Sequence, residues 1–250
     1  MPHQEQQFAN EEIYHLILRA IDNNLLFKDI NDYYRGVFSI YEFNNVNSVN
    51  IRDRREARAS FKKLVQSTQA PRTPTSGQVL IEPDKRDKLV EVMSFCLMPN
   101  HIHLLARQIK DGGISRFMQK VGGGYAGYFN RKYQRKGHVF MDRFESVQIE
   151  SDNQLKVIFV YIHANPLSLI EPGWKELGIK NPAKAIAFLE NEYKWFSYPD
   201  FIGRKNFPSV TSKDFLSEVM GGSEDCKDAI KNWIMHKSEM VKHKNILLDY

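Results

Sequence analysis

The chain has few cysteines and no long apolar run, and these two features argue against a disulfide-rich, zinc-binding or membrane-spanning protein. Only 2 of its 250 residues are cysteines, and the wide separation of Cys96 and Cys226 matches neither a disulfide framework nor a zinc-binding pattern. No stretch approaches the ~18 consecutive apolar residues of a membrane span, and the polar N-terminus lacks the apolar core of a signal peptide. We therefore expect a reduced, cytoplasmic protein with no membrane partner.

What the chain does contain is enough apolar residues for a core and a small excess of positive charge. Hydrophobic residues make up 42% of the sequence, which is typical of a globular protein. The 35 lysines and arginines exceed the 30 aspartates and glutamates, so the formal net charge is +5. This excess favours a polyanionic partner, although many basic proteins bind no nucleic acid.

The apolar pattern predicts an α+β domain. Residues 13–20 have the composition of a strand, and residues 31–45 have helical spacing with Asn31 as a candidate N-cap. Residues 88–108 contain two apolar runs split by a proline–asparagine pair, which predicts two strands joined by a turn. With the later segments the order is β-α-β-β-α-β-α, which favours an antiparallel sheet with helices on one face.

Two of those later segments are predicted to be helices. Residues 113–137 have a helical pattern that we expect to be interrupted or loosened by the run Gly122, Gly123 and Gly124. Residues 151–166 form the clearest helix of the chain, because Ser151 begins a capping-box pattern and a proline ends the segment.

The domain organisation follows from changes in composition. Residues 45–88 are first charged and then rich in Pro, Ser and Thr, and they contain few large apolar residues. We therefore interpret them as an insertion within one domain that spans residues 1–205. Residues 206–250 are predicted to form a C-terminal helical extension.

Two histidines, His101 and His103, stand two positions apart inside an apolar strand. Side chains at i and i+2 of a strand share a face, so the two imidazoles should project side by side. Neutral imidazoles in that arrangement can share a divalent cation. The alternative is a pair of hydrogen-bonded histidines on a half-buried strand, and the spacing alone leaves both interpretations open.

The capped helix carries a second pair of candidate residues. Tyr161 and Asn165 are four residues apart, so they lie on one helical face, away from the apolar stripe. An amide oxygen is a ligand that suits Mg²⁺ or Mn²⁺, and Tyr161 would stand one turn from such a cation. Taken alone, these residues fit better as a packing tyrosine and a helix-terminal asparagine before proline.

Basic residues mark candidate contacts to DNA. In the segment "NRKYQRKGH" they lie close together, and Tyr128, Phe129 and Tyr133 stand just before or among them. Lysine and arginine follow phosphates, and aromatic rings can stack on unpaired bases. For the aromatic rings we prefer core packing to stacking on bases. For the basic residues we favour contact with DNA, and the alternative is a solvated helix end. The candidate DNA-binding residues are Arg19, Arg131, Lys132, Arg135, Lys136 and Arg143.

Two motifs together resemble a known family. "CLMPNHIHLL", followed about sixty residues later by "YIHANPLSL", resembles the single-tyrosine transposases of the His-hydrophobic-His superfamily, and within it the REP-associated tyrosine transposases. "YHLILRA", "YFNRKYQRKGHVFMDRFES" and "EYKWFSYPDFIG" extend the resemblance over most of residues 13–205. The resemblance implies a ferredoxin-like fold with the histidine pair on a central strand. It also implies that Tyr161 is the nucleophile and that His101, His103 and Asn165 hold the metal.

The implied activity is the cleavage and rejoining of single-stranded or hairpin DNA through a 5′-phosphotyrosine, with Mg²⁺ or Mn²⁺, by a monomer or a homodimer. Two features depart from the family pattern: the insertion at 45–88 is longer than expected, and the glycine run replaces a helix-forming, often basic stretch. The alternatives are a module that binds hairpin nucleic acid without cutting it and a domesticated relative that no longer moves DNA. A nucleotidyl hydrolase with three alternating histidines fits less well, because position 105 is Leu105.

Overall fold

The computed structural model describes residues 8–54, 56, 59–60 and 84–248, with side chains up to residue 239. The greater part of the predicted insertion at 45–88 therefore lies outside the described residues. Within the rest, the strands and long helices up to residue 164 are β1 Ile13–Arg19, α1 Ile30–Glu42, β2 Val90–Met98, β3 His101–Gln108, α2 Gly113–Lys132, β4 Glu145–Ile149 and α3 Asp152–Ala164.

Short elements and two longer helices follow α3. A 3₁₀ turn at Asn165–Leu169 continues directly from it, and the chain then forms α4 Trp174–Leu177, α5 Pro182–Ala187, α6 Tyr198–Phe201, α7 Asp214–Met220 and α8 Ser223–Leu248. A 3₁₀ turn lies at Ile21–Asn23 and a π-helical turn at Phe188–Glu192, and residues 51–54 are also helical.

The four strands form one antiparallel sheet in the order β2-β3-β1-β4. This order and the βαββαβ succession confirm the predicted α+β, ferredoxin-like fold. In the register of the two central strands, Arg19 pairs with His101 and Ile17 pairs with His103. Because paired residues of an antiparallel sheet share a face, the histidines of β3 lie on the same face as the odd-numbered residues of β1.

The opposite face of the sheet holds the first part of the core. Buried side chains of the central strands, such as Leu16 and Leu104, pack there against α1 and α2. Helix α1 begins after Asp29, whose carboxylate accepts hydrogen bonds from the backbone of Asn31 and Asp32. Asn31 is therefore not the N-cap, contrary to the prediction, because Asp29, two residues earlier, already accepts from the orphan amides.

Helix α2 runs without interruption from Gly113 to Lys132, so the expectation of a helix broken by its glycines was wrong. The reason is packing. A Cβ at Gly124 would overlap the ring of Phe43, whereas one at Gly123 would meet no atom within 4 Å. Tertiary contacts with α1 thus hold the helix together despite the poor helical propensity of glycine.

The histidine face is also covered, in part, by helices, so the expectation of helices on one face only was wrong. Met93, Cys96 and Leu105 of the sheet form a second core with α3 and with the later helices. Buried side chains of α7 and α8, including Leu216 and Ile230, belong to that same core, so the C-terminal extension packs on α3 and the short helices of this side. The aromatic segment at 195–197 hydrogen-bonds to the outer edge of β2. The candidate site lies on the same face of the sheet, on the central strands β3 and β1.

Candidate active site

The histidine pair projects from the start of β3, as its spacing predicts. The Nε2 atoms of His101 and His103 lie 3.0 Å apart. His103 is only 1% exposed, whereas His101 is half-buried. Burial, together with the positive charges of Arg19 and Lys175, lowers the pKa of His101 to about 4, and burial also places the pKa of His103 well below its ordinary value. Both imidazoles are therefore neutral near pH 7, as metal ligation requires.

Both rings are also fixed through their other nitrogen. His101 Nδ1 lies 2.7 Å from the side-chain oxygen of Asn100, an acceptor, so this nitrogen carries the proton and Nε2 carries the lone pair. His103 Nδ1 lies 3.0 Å from Nε2 of His15 on β1. When His15 accepts this hydrogen bond, the Nε2 lone pairs of His101 and His103 point toward one another.

This arrangement fits a divalent cation. Two ligands that lie about 2.1 Å from a cation and at right angles to each other are about 3.0 Å apart, which is the separation of the two Nε2 atoms. Metal-bound histidines characteristically donate their second N–H to a neighbouring acceptor, as Asn100 and His15 allow here. Within the described part of the chain, no three His, Cys, Asp or Glu side chains converge on one point. Amide, water or substrate oxygens would suit the remaining positions of such a cation.

Tyr161 faces the histidine row, that is His15, His103 and His101, from helix α3. Ser151 caps this helix by accepting from the backbone N–H of Gln154, as predicted, and apolar residues such as Phe159 anchor it in the second core. The half-exposed Tyr161 ring meets His15 and His103 edge-on, with centroid separations of 5.8 and 5.7 Å. The phenol and the imidazoles thus come together within a single chain.

Asn165 lies one helical turn beyond Tyr161 and is buried. Its side-chain NH₂ donates to the backbone carbonyl of Tyr161 over 2.8 Å and so closes the end of α3. This hydrogen bond uses the amide nitrogen, so a cation would have to be held by Oδ1. The assignment of Asn165 as a metal ligand therefore stays a prediction.

The predicted DNA-binding residues separate into two groups. Arg19 stands beside His101 in the sheet register and forms an ion pair with Glu145, and Arg143 is exposed just before β4. The others lie at or beyond the end of α2, which packs on the face opposite the histidines. These are Arg131, Lys132 and Lys136, which are exposed, and Arg135, which is partly buried.

Lys132 has a structural partner. Its ammonium lies 2.7 Å from Asp29 and 2.6 Å from Asp32, the two carboxylates that begin helix α1. Asp32 also accepts hydrogen bonds from the hydroxyls of Tyr128 and Tyr133, which agrees with the packing interpretation of these aromatic residues. Because its charge is already balanced there, we leave Lys132 out of the proposed DNA-binding surface.

Sequence reasoning missed two residues of the site, His15 and Lys175. His15 alternates with apolar residues on β1 and is 5% exposed; burial lowers its pKa to about 4. A lone histidine in a strand gives no signal until the pairing of β1 with β3 is known. Lys175 donates to the Tyr161 hydroxyl over 3.2 Å, from a helix of four residues with no motif of its own.

Among the helices that the structure describes, none is long and apolar enough to cross a membrane.

Comparison with known proteins bears on the same part of the chain. Residues 76–165 match the family model described as "Transposase IS200 like", just over a third of the chain, from before β2 to the end of α3. A solved structure of a REP-associated tyrosine transposase bound to a REP hairpin covers 86% of this chain and 93% of its own, at 12% sequence identity and a TM-score of 0.47. No curated protein matches the chain.

Proposed function

We propose that the protein cleaves and rejoins single-stranded hairpin DNA, with Tyr161 as the nucleophile, because residues 76–165 match the family model of IS200-like transposases. The observation that carries this proposal is the position of the Tyr161 ring, edge-on to His15 and to His103, one of the two proposed metal ligands. The resemblance of the two central motifs to REP-associated tyrosine transposases supports the choice of hairpin DNA.

In the proposed reaction, Tyr161 Oη attacks the phosphorus of a phosphodiester. A bond forms between this oxygen and phosphorus, the bond from phosphorus to the 3′ oxygen breaks, and the DNA is held as a 5′-phosphotyrosine with a free 3′-OH. The phenol loses a proton and the departing 3′ oxygen gains one, so the exchange is proton-neutral. Since the phosphodiester is exchanged rather than hydrolysed, a 3′-OH can later attack and rejoin the strand.

His101 and His103 would hold the divalent cation, and Asn165 would add an amide oxygen. Mg²⁺ or Mn²⁺ bound there supplies Lewis-acid polarisation of the scissile phosphate. His15 orients the ring of His103 through its Nδ1, and Asn100 does the same for His101. Arg19, which pairs with His101 in the sheet, would contact the backbone of the bound strand, and Arg143, Arg131, Arg135 and Lys136 would offer further positive charge to the DNA.

The test is formation of a covalent protein–DNA adduct. The protein is incubated with labelled single-stranded hairpin DNA and Mn²⁺, and the products are separated on a denaturing gel. We expect an adduct that Tyr161→Phe abolishes without weakening DNA binding. Tyr34→Phe is the matched control, because Tyr34 is an exposed tyrosine on α1, and it should leave the adduct unchanged.

Two outcomes would contradict the proposal. An undiminished adduct from Tyr161→Phe would show that another residue is the nucleophile. Tight binding of hairpin DNA without any adduct from the unmodified protein would favour the alternative, a module that binds nucleic acid without cutting it.

A further inference from the structure

Lys175 approaches the proposed nucleophile at its reacting atom. Its Nζ lies 3.2 Å from the Tyr161 hydroxyl oxygen and 4.8 Å from the centroid of the Tyr161 ring. An ammonium has donors and no acceptor, so Lys175 donates to the phenol oxygen. A hydrogen bond from a charged donor strengthens as its acceptor gains negative charge, and that is the change the Tyr161 oxygen must undergo to attack phosphorus.

The position of Lys175 is set by its neighbour in the chain. Trp174 is 2% exposed and packs edge-on against Trp233 of helix α8, with ring centroids 4.9 Å apart. The backbone N–H of Ile179, just after this turn, donates to the carbonyl of Lys237 on the same helix. The C-terminal extension therefore anchors the turn that carries Lys175.

We propose that Lys175 is a catalytic residue of the cleavage and rejoining reaction, in which its ammonium stabilises negative charge on the Tyr161 oxygen. In cleavage, this charge develops as the phenol O–H bond breaks and the bond to phosphorus forms. In rejoining, a 3′-OH attacks phosphorus and loses its proton, the bond from phosphorus to the tyrosine oxygen breaks, and the phenolate leaves and takes up a proton. Lys175 keeps its own protons throughout. This inference rests on the proposed role of Tyr161.

The experiment compares the unmodified protein with Lys175→Met, Lys175→Arg and Lys184→Met. Methionine keeps much of the apolar stem and removes the charge, arginine keeps the charge and the donors, and Lys184 is an exposed lysine on α5 that serves as the control for net charge. Single-turnover rates of adduct formation are measured at saturating hairpin DNA and Mn²⁺ from pH 6 to pH 9. The DNA dissociation constant and the melting temperature are measured for each variant.

We expect Lys175→Met to slow adduct formation about 10-fold near neutral pH, the order expected for loss of a charge-assisted hydrogen bond at a partly exposed site. The deficit should shrink as pH rises, because hydroxide can then remove the phenol proton without help from the ammonium. Lys175→Arg should restore most of the rate. Lys184→Met should match the unmodified protein, and DNA affinity and melting temperature should stay close to its values in all three variants.

The outcomes separate this inference from the function on which it rests. An unmodified protein that forms no adduct overturns both. An adduct whose rate and pH profile are the same in Lys175→Met overturns the role of Lys175 alone. A loss that appears entirely as weaker DNA binding also overturns it, because Lys175 would then be contacting phosphate in the ground state rather than assisting Tyr161.

Discussion

Two adjacent glycines of helix α2 should respond to the same substitution in opposite directions. Alanine is favoured over glycine in a helix interior by about 1 kcal/mol, so Gly123→Ala should stabilise the protein, because its new Cβ would meet no atom within 4 Å. At Gly124 the Cβ would stand 2.7 Å from Cδ2 of Phe43 and closer still to two other atoms of that ring.

The size of the difference follows from how little Phe43 can move. Its ring is 7% exposed and packs edge-on toward Phe38. Inserting a methyl group into such a site costs about 1–3 kcal/mol, which offsets or exceeds the gain in helical propensity. We therefore expect Gly123→Ala to be more stable than Gly124→Ala by roughly 1–3 kcal/mol. In a chain of this length that difference corresponds to roughly 2–12 °C in melting temperature.

Thermal unfolding monitored by circular dichroism at 222 nm measures this difference. The control is the same pair of substitutions in a Phe43→Leu background, where the penalty at position 124 should diminish because the ring that causes it is gone. A Gly124→Ala protein that melts at or above Gly123→Ala would refute the reasoning, and so would a penalty that persists unchanged without Phe43.

Two further predictions concern the histidine row. His103→Ala should abolish both Mn²⁺ binding, measured by electron paramagnetic resonance, and adduct formation, because it removes one of two facing donors; retained binding would contradict the assigned site. His15→Leu should weaken Mn²⁺ binding by about 10- to 100-fold, the range typical of lost outer-shell partners. His15→Gln should recover much of this affinity, because its amide oxygen can still accept from His103 Nδ1. Equal losses in His15→Leu and His15→Gln would show that His15 acts by packing alone.

The sequence predicted those parts of the candidate site in which the residues belong to one strand or one helix. Alternation along β3 places His101 and His103 on one face, and the spacing of α3 places Tyr161 one turn from Asn165; both relations depend only on the repeat of a single element. The motifs containing these four residues also supported the resemblance. The same local reasoning failed at the glycine run. The contact of Gly124 with Phe43 joins two segments that are distant in sequence, so neither segment's local sequence predicts it.

The sequence by itself determined the elements, their order and the side chains that each presents on one face, because strand and helix periodicities are properties of the local backbone. Tertiary structure decided which of those faces meet. The pairing of β1 with β3 brings His15 to His103 across 88 residues of sequence, and the packing of Trp174 on Trp233 delivers Lys175 to Tyr161. These contacts arise from long-range burial of apolar surface, so the residues that tune the site became visible only once the chain was folded.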